Sequence, residues 1–418
     1  MTDHDATAHC CAEMHASRRG VLQGTALFGA AAAIGSTVVT MAPASPAAAA
    51  TQPAPWTIVV LSLRGAADGL SLVVPHADPA YYTARPRIAV PRDQLLRADA
   101  MFGLHPAMKP LEPMWAAGRL ATVHATGLPV ANRSHFSAME EVEDAAPGST
   151  LRTGWLNRLL GTDAYTSPLQ GLSIGTRPSA MYGPEQTMAT SSSTSVRVAG
   201  ASALNSSDKR FASLTQAWSA SSTSMGRGMQ AALGAVADYA PVLAVADTTS
   251  SYPSNDLGRA LATVARTIKG NVGSAVFTVD HGNWDMHQSL GTSTSGWMFN
   301  NVTTLATSIA AFFTDLGPAA GKVTLVTISE FGRRVVENDS SGLDHGWGNV
   351  MMLAGAGVKG GKYYGIWPGL ATTSDADLSV TTDYRSVLAE VVASRTGAST
   401  ATVFPGFTRE RVGVMSGQ

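Results

Sequence analysis

The sequence predicts an α/β domain built on a mostly parallel central sheet flanked by helices. Three observations predict it. Continuous apolar, β-branched runs at 56–63 and 323–328 read as strands buried on both faces, as in parallel sheets. Helix-like segments alternate with such runs. Clusters of Gly, Asp and His follow the runs directly, where open α/β sheets bind their ligands.

Each element has a local cause. The run 56–63 is closed by the turn chemistry of Arg64-Gly65-Ala66-Ala67-Asp68-Gly69. Residues 106–117 read as a helix with Pro106 at its start. Residues 120–125 form a short strand, followed by a loop and a helix from Ser134. Ser134 is the expected N-cap, and Ser137 with Glu140 offers a second capping arrangement. Residues 176–254 are dominated by Ser, Thr, Ala and Gly, contain no His, and read as an insertion or cap on the core. Residues 255–270 form an amphipathic helix, with Leu257, Leu261, Val264, Ala265 and Ile268 on one face. Strands at 273–279 and 323–328 bracket a helix at 302–316. A strand at 349–353 and a helix at 383–395 complete the pattern.

Composition narrows the function classes. The chain has 418 residues, 45% of them hydrophobic and 14% charged, with a net charge of −1. That excludes general disorder. Without long basic runs it also argues against binding nucleic acid or an anionic membrane surface. The two cysteines are Cys10 and Cys11. They precede Ser17-Arg18-Arg19-Gly20-Val21-Leu22, a charge-free stretch over 21–50, and Ala48-Ala49-Ala50. This pattern resembles a twin-arginine export signal, so 1–50 is expected to be a cleaved signal peptide and 51–418 one domain. A membrane anchor is the alternative, but Gly, Ser and Thr leave the stretch only weakly apolar. The expected partner is the twin-arginine export machinery, and the expected location is periplasmic or extracellular. A chain cut near Ala50 has no thiol, so a metal site must use His, Asp and Glu.

Those residues recur after predicted strands. Asp285-Met286-His287 sets a carboxylate and an imidazole two apart, on one side of extended backbone. Asp344-His345-Gly346 repeats the pairing, and Glu330 ends the strand between them. His281 and Asp280 are spare candidates. Mixed carboxylate and imidazole ligands suit a divalent metal, with Zn, Mn, Fe, Ca and Mg all considered and Ca the poorest match to His. The alternative is that these are polar loop residues capping turns. His105, His124 and His135 are expected to be structural. Gly171-Leu172-Ser173-Ile174-Gly175 matches a nucleophile elbow, but Pro178 opposes the helix that an elbow needs after its serine. Ser206-Ser207-Asp208-Lys209 fits S-x-x-K without its companion motifs and reads as a helix cap.

Taken together, the mature chain resembles a bacterial family of twin-arginine-exported proteins of unknown function within the alkaline phosphatase-like, sulfatase-related superfamily. The resemblance rests on Leu63 to Leu70, Phe102-Gly103-Leu104-His105-Pro106, Asn132-Arg133-Ser134-His135-Phe136, Trp284-Asp285-Met286-His287, Ser329-Glu330-Phe331-Gly332-Arg333, Asp344-His345-Gly346 and Val358-Lys359-Gly360-Gly361. It implies an alkaline phosphatase-like fold and hydrolysis of a small phosphate or sulfate ester. It implies metal ligands at Asp68, Asp285, His287, Glu330, Asp344 and His345. Ser134 or a metal-bound water would be the nucleophile. Arg133 and Arg333 are candidates to clamp the anion, with surface ion pairs as the alternative. Phe331 stands where the superfamily carries a metal-binding His, which leaves open a non-catalytic secreted protein that binds a ligand or takes part in assembly. A metal-free hydrolase using Ser173 is a third reading.

Overall fold

The computed structural model describes residues 31–34, 37–40, 52–150, 152–164 and 167–417. The signal read at 1–50 falls mostly outside them, including Cys10, Cys11, the arginine pair and Ala48-Ala49-Ala50. The described strands are β1 (Ala31–Ile34), β2 (Thr37–Thr40), β3 (Thr57–Leu63), β4 (Val73–Val74), β5 (Gly103–Leu104), β6 (Leu120–Gly127), β7 (Gly171–Ile174), β8 (Met188–Thr190), β9 (Val276–His281), β10 (Val323–Ile328), β11 (Asn349–Gly355), β12 (Lys362–Tyr364) and β13 (Thr382–Asp383). All but β4 and β5 belong to one sheet of order β1-β2-β8-β7-β9-β3-β10-β11-β6-β12, with β13 also on β6. Strands β8, β7, β9, β3 and β10 are mutually parallel. β11 runs antiparallel between β10 and β6.

The pleat explains the apolar runs. In β3, Val59, Leu61 and Leu63 pack into the core on one face, while Ile58 and Val60 pack into the core on the other. The first face is covered by the helices Asp256–Gly270 and Trp297–Leu316, which supply Leu257, Leu261, Val264, Val302, Leu305 and Ile309. The helices Trp155–Leu160 and Tyr384–Arg395 cover the second. Among the described residues, no helix is long and apolar enough to cross a membrane.

Several local expectations change. Residues 106–117 split into a 3-10 turn, Pro106–Leu111, and a short α-helix, Glu112–Ala116. Pro110 and Pro113 each lack the N–H that a continuous helix needs there. The helix expected at 302–316 begins at Trp297, behind Gly296, which gives no side-chain capping signal. Within 176–254, β8 pairs with β7 inside the main sheet, so this region contributes a strand as well as helices. Asp208 caps the helix Lys209–Trp218 by accepting from the Arg210 and Phe211 N–H groups.

Candidate metal centre

The sheet gathers five chain segments at one edge. Leu63 lies opposite His281, and Ile328 opposite Ser62, so β9, β3 and β10 end nearly level. β11 runs the other way and therefore starts at this edge, just after residues 344–348. β6 ends there too and leads by a loop to the helix His135–Asp144. The 332–334 and 344–347 segments are laced together: Gly346 N–H donates to Gly332 O, and Gly332 N–H to Trp347 O, both at 2.8 Å. A Cβ at Gly332 would stand 1.8 Å from Gly348 O, so only glycine permits this approach.

Three imidazoles meet over one carboxylate. His345 Nε2 lies 3.0 Å from both His135 Nε2 and His287 Nε2. Asp285 Oδ1 is 3.0 Å from His287 Nε2, 3.5 Å from His135 Nε2 and 3.6 Å from His345 Nε2. Ligand atoms of His135, Asp285 and His345 lie within 4.8 Å of one another, close enough to hold one metal ion.

The outer partners fix the tautomers. His345 Nδ1 is 2.9 Å from Arg133 O, an acceptor only, so Nδ1 carries the hydrogen. His135 Nδ1 faces Glu330 Oε1 at 2.8 Å, and His287 Nδ1 faces Asp344 Oδ1 at 2.9 Å. Burial pushes the Glu330 carboxyl up, but hydrogen bonds from His135 and from backbone N–H groups, Gly65 among them, hold it below its ordinary value. Asp344 is likewise held low against partial burial by His287 and Asn338. Both carboxylates therefore accept, both Nδ1 atoms donate, and the three rings direct Nε2 at the same place. Metal-binding histidines are oriented in this way. Burial, together with the Arg333 and His135 charges, pushes His345 below the ordinary histidine range, which favours its ligating form.

Arg333 is the buried hub. Its Nε donates to Ala66 O at 2.8 Å and its Nη1 to Leu343 O at 3.0 Å. Its Nη2 reaches Gly65 O at 2.5 Å and Asp285 Oδ1 at 2.6 Å. Burial raises the Asp285 carboxyl, yet Arg333, His287 and His135 together hold it below its ordinary value.

A cleft of about 680 Å³ opens beside the cluster, with His135, Asp285 and Glu330 in its lining. Phe136, Met139, Pro178 and Tyr182 form apolar parts of its wall. Arg64 crosses it, bound to Glu143 at 2.6 Å and Asp280 at 2.8 Å. The Arg177 guanidinium covers the Tyr182 ring, 4.2 Å from its centre.

Residues 56–392 match the family described as "Protein of unknown function (DUF1501)". The chain belongs to this family. No curated protein matches it in sequence. Among solved structures it is similar to the zinc complex of the C-terminal periplasmic domain of EcEptC from Escherichia coli. The identity is 10% and the TM-score 0.34, covering 75% of this chain and 77% of that one. It is also similar to a mutant of TAB5 alkaline phosphatase with magnesium bound, at 11% identity and TM-score 0.25, covering 73% of this chain and 91% of that one.

In this DUF1501 chain the structure brings together Asp285, His287 and His345, with Glu330 and Asp344 behind them. Glu330 and Asp344, expected as ligands, instead hold the outer nitrogens of His135 and His287. Asp68 lies apart. It caps a short helix at Ser71 N and is gripped by the buried Arg85 through bonds of 2.5 and 3.0 Å. Arg333 is buried and committed to Asp285 and backbone carbonyls, so it cannot clamp a substrate anion. The Arg133 side chain pairs with Asp377, and only its carbonyl serves the cluster. Ser134 is exposed and holds the N-cap position without a side-chain capping bond; its own N–H donates to Asn132 Oδ1. Ser173 is fully buried in β7 against Thr278, and no helix follows it, which removes the nucleophile elbow. His281 bonds Asn301 O, and Asp280 pairs with Arg64. The Phe331 ring packs 4.9 Å from both the His135 and His345 rings. His135, expected to be structural, is the member of the cluster that sequence reasoning missed. Its signal was a histidine opening a helix directly after a strand and loop.

Burial pushes three other histidines, His105, His124 and His281, down to about 4. Between their unfolded value of about 6.5 and about 4, the unfolded chain binds more protons than the folded one. Their contribution is therefore complete above pH 6.5 and lost as pH falls toward 4. The Tm of metal-stripped protein is expected to fall steadily across that window. A flat profile from pH 7 to 4.5 would show these rings to be solvated in the folded state.

Proposed function

We propose that this chain is an exported hydrolase that holds one divalent metal ion through His135, Asp285, His287 and His345 and cleaves a phosphate or sulfate ester in the adjoining cleft. One observation carries the reading: three imidazoles, each with Nδ1 engaged by an outer acceptor, direct Nε2 at one carboxylate oxygen. A divalent cation among these atoms would take the three nitrogens and that oxygen as ligands. Three nitrogens favour Zn, Fe or Mn over Ca and Mg. A metal bound here supplies Lewis acidity toward the ester and toward water.

The protein's own groups do the rest. Glu330 and Asp344 hold His135 and His287 in the ligating tautomer. The cleft positions the alcohol part of the ester and keeps it near Asp285. Hydrolysis adds water across the P–O or S–O bond and releases the alcohol and the inorganic anion. Ser134 adjoins His135 in the chain, and its hydroxyl makes no capping bond, so it is the protein-derived nucleophile of this proposal, with water the other. Export by the twin-arginine route, with the signal at 1–50, is part of the same reading and is supported by the paired arginines and the small residues at 48–50. A non-catalytic binding role is favoured by two features: Phe331 beside the cluster and Asp68 locked to Arg85.

Elemental analysis of the purified protein is expected to give about one transition metal per chain, and chelation to lower Tm. Aryl phosphate monoesters, phosphodiesters and aryl sulfates then test the reaction class. A chain without metal, and with no change of Tm in chelator, overturns the metal reading. A metal-loaded chain inert to the whole panel supports the binding role.

A further inference from the structure

A second cleft adjoins the one at the metal centre. A further cleft of about 500 Å³ lies beyond the C-terminal ends of β7 and β9, and it shares Thr176 and Asp280 with the first. Its size is in the range of sites that hold a drug-sized ligand. Its chemistry is unlike that of most such sites. Ser191, Ser192, Thr194, Thr249 and Thr176 line it with hydroxyls, and the apolar lining is only Ile174 and Ala260. Asp247, Asp256 and Asp280 face it against Arg259. Arg259 is engaged by Asp256, and Asp280 by Arg64.

We infer that this distal compartment binds an uncharged polyhydroxyl chain, a neutral oligosaccharide, whose esterified end reaches the metal centre. The inference rests on the hydrolase reading for the reacting end alone. The hydroxyl side chains both donate and accept, and the carboxylates accept, which matches the adjacent hydroxyls of a sugar. Ser191, Ser192 and Thr194 already bond one another or Ser195, and an apolar ligand would waste the hydrogen-bonding capacity that remains to them. A polyanion would meet the carboxylates of both compartments, which outnumber the guanidiniums, and be repelled. At the rim of the first compartment Phe136 is 79% exposed and offers a flat apolar surface beside His135.

The test uses the full chain on an array of neutral oligosaccharides of two to six units, with heparin-derived sulfated oligosaccharides of equal length beside them. Saturable binding of at least one neutral series, with the sulfated series weaker, is expected. Ala260→Trp, which fills the distal compartment from a half-buried position on the helix Asp256–Gly270, should lower that binding at least tenfold. Thr249→Trp, on an exposed turn at the same wall, is the second blocking variant should the first fail to fold. His345→Ala should abolish metal binding and leave oligosaccharide binding within twofold, so failure of the metal reading is distinguishable from failure of this one. Absence of any neutral binder, preference for the sulfated series, or binding unchanged in a folded blocking variant overturns the inference.

Discussion

His345→Ala is expected to reduce metal affinity by more than about a hundredfold, roughly 3 kcal/mol or more. His345 is the middle member of the cluster, 3.0 Å from each of the other two Nε2 atoms. Removing it leaves His135 and His287 without a ligand between them. Asp344→Asn should cost less, about ten- to a hundredfold, because Asp344 acts through His287 Nδ1. An amide can still accept from Nδ1–H, but without charge it orients the ring less firmly and makes it less basic. Competition with a chromophoric chelator measures both variants. Equal losses would place Asp344 among the ligands, as the sequence alone suggested. A His345→Ala chain that keeps the wild-type affinity would refute the site.

Why part of this site was legible, and part not, follows from where each interaction lies along the chain. Asp285 and His287 could be read because they follow the buried strand β9, whose apolar run fixes where it ends, and His345 because Asp344-His345-Gly346 repeats their pairing just before the apolar run of β11. The runs at Thr57–Leu63 and Val323–Ile328 were read correctly for the same reason: both faces of each strand pack into a core. His135 also follows a strand and a loop, but no carboxylate stands beside it. Its role depends on Glu330, 195 residues away, and a lone histidine at a helix start resembles a structural one. Asp68 was misplaced for the converse reason. It follows a strand as a ligand would, but Arg85, 17 residues on, folds back to take both of its oxygens. Glu330 and Asp344 were found as residues, but their contacts to His135 and His287 were not, because spacing does not distinguish binding a metal from holding an imidazole. β8 escaped notice because three residues, Met188–Thr190, make a strand too short to stand out in a Ser- and Thr-rich region.

Arg333→Met is expected to destabilise the metal-free protein by about 3–5 kcal/mol, read as a Tm lower by several degrees. Methionine fills much of the arginine's volume, so cavity formation is a minor part of the cost. The larger part is polar. Gly65, Ala66 and Leu343 lose a donor to their buried carbonyls, and Asp285 loses its nearest positive charge. These acceptors lie on three loops, after β3, after β9 and before β11, so the substitution frees the segments that carry Asp285, His287 and His345. Arg333→Lys should recover little, since one ammonium cannot reach acceptors spread around a planar guanidinium. The Asp285 share can be separated by a double-mutant cycle. Asp285→Asn should cost less in the Arg333→Met background than alone, because the charge it removes has already lost its partner. Saturating zinc should restore part of the Arg333→Met loss by supplying a cation next to Asp285, while the carbonyl share stays lost. Additive Asp285 and Arg333 effects, or a variant that melts with the wild type, would show that Arg333 does not brace these loops.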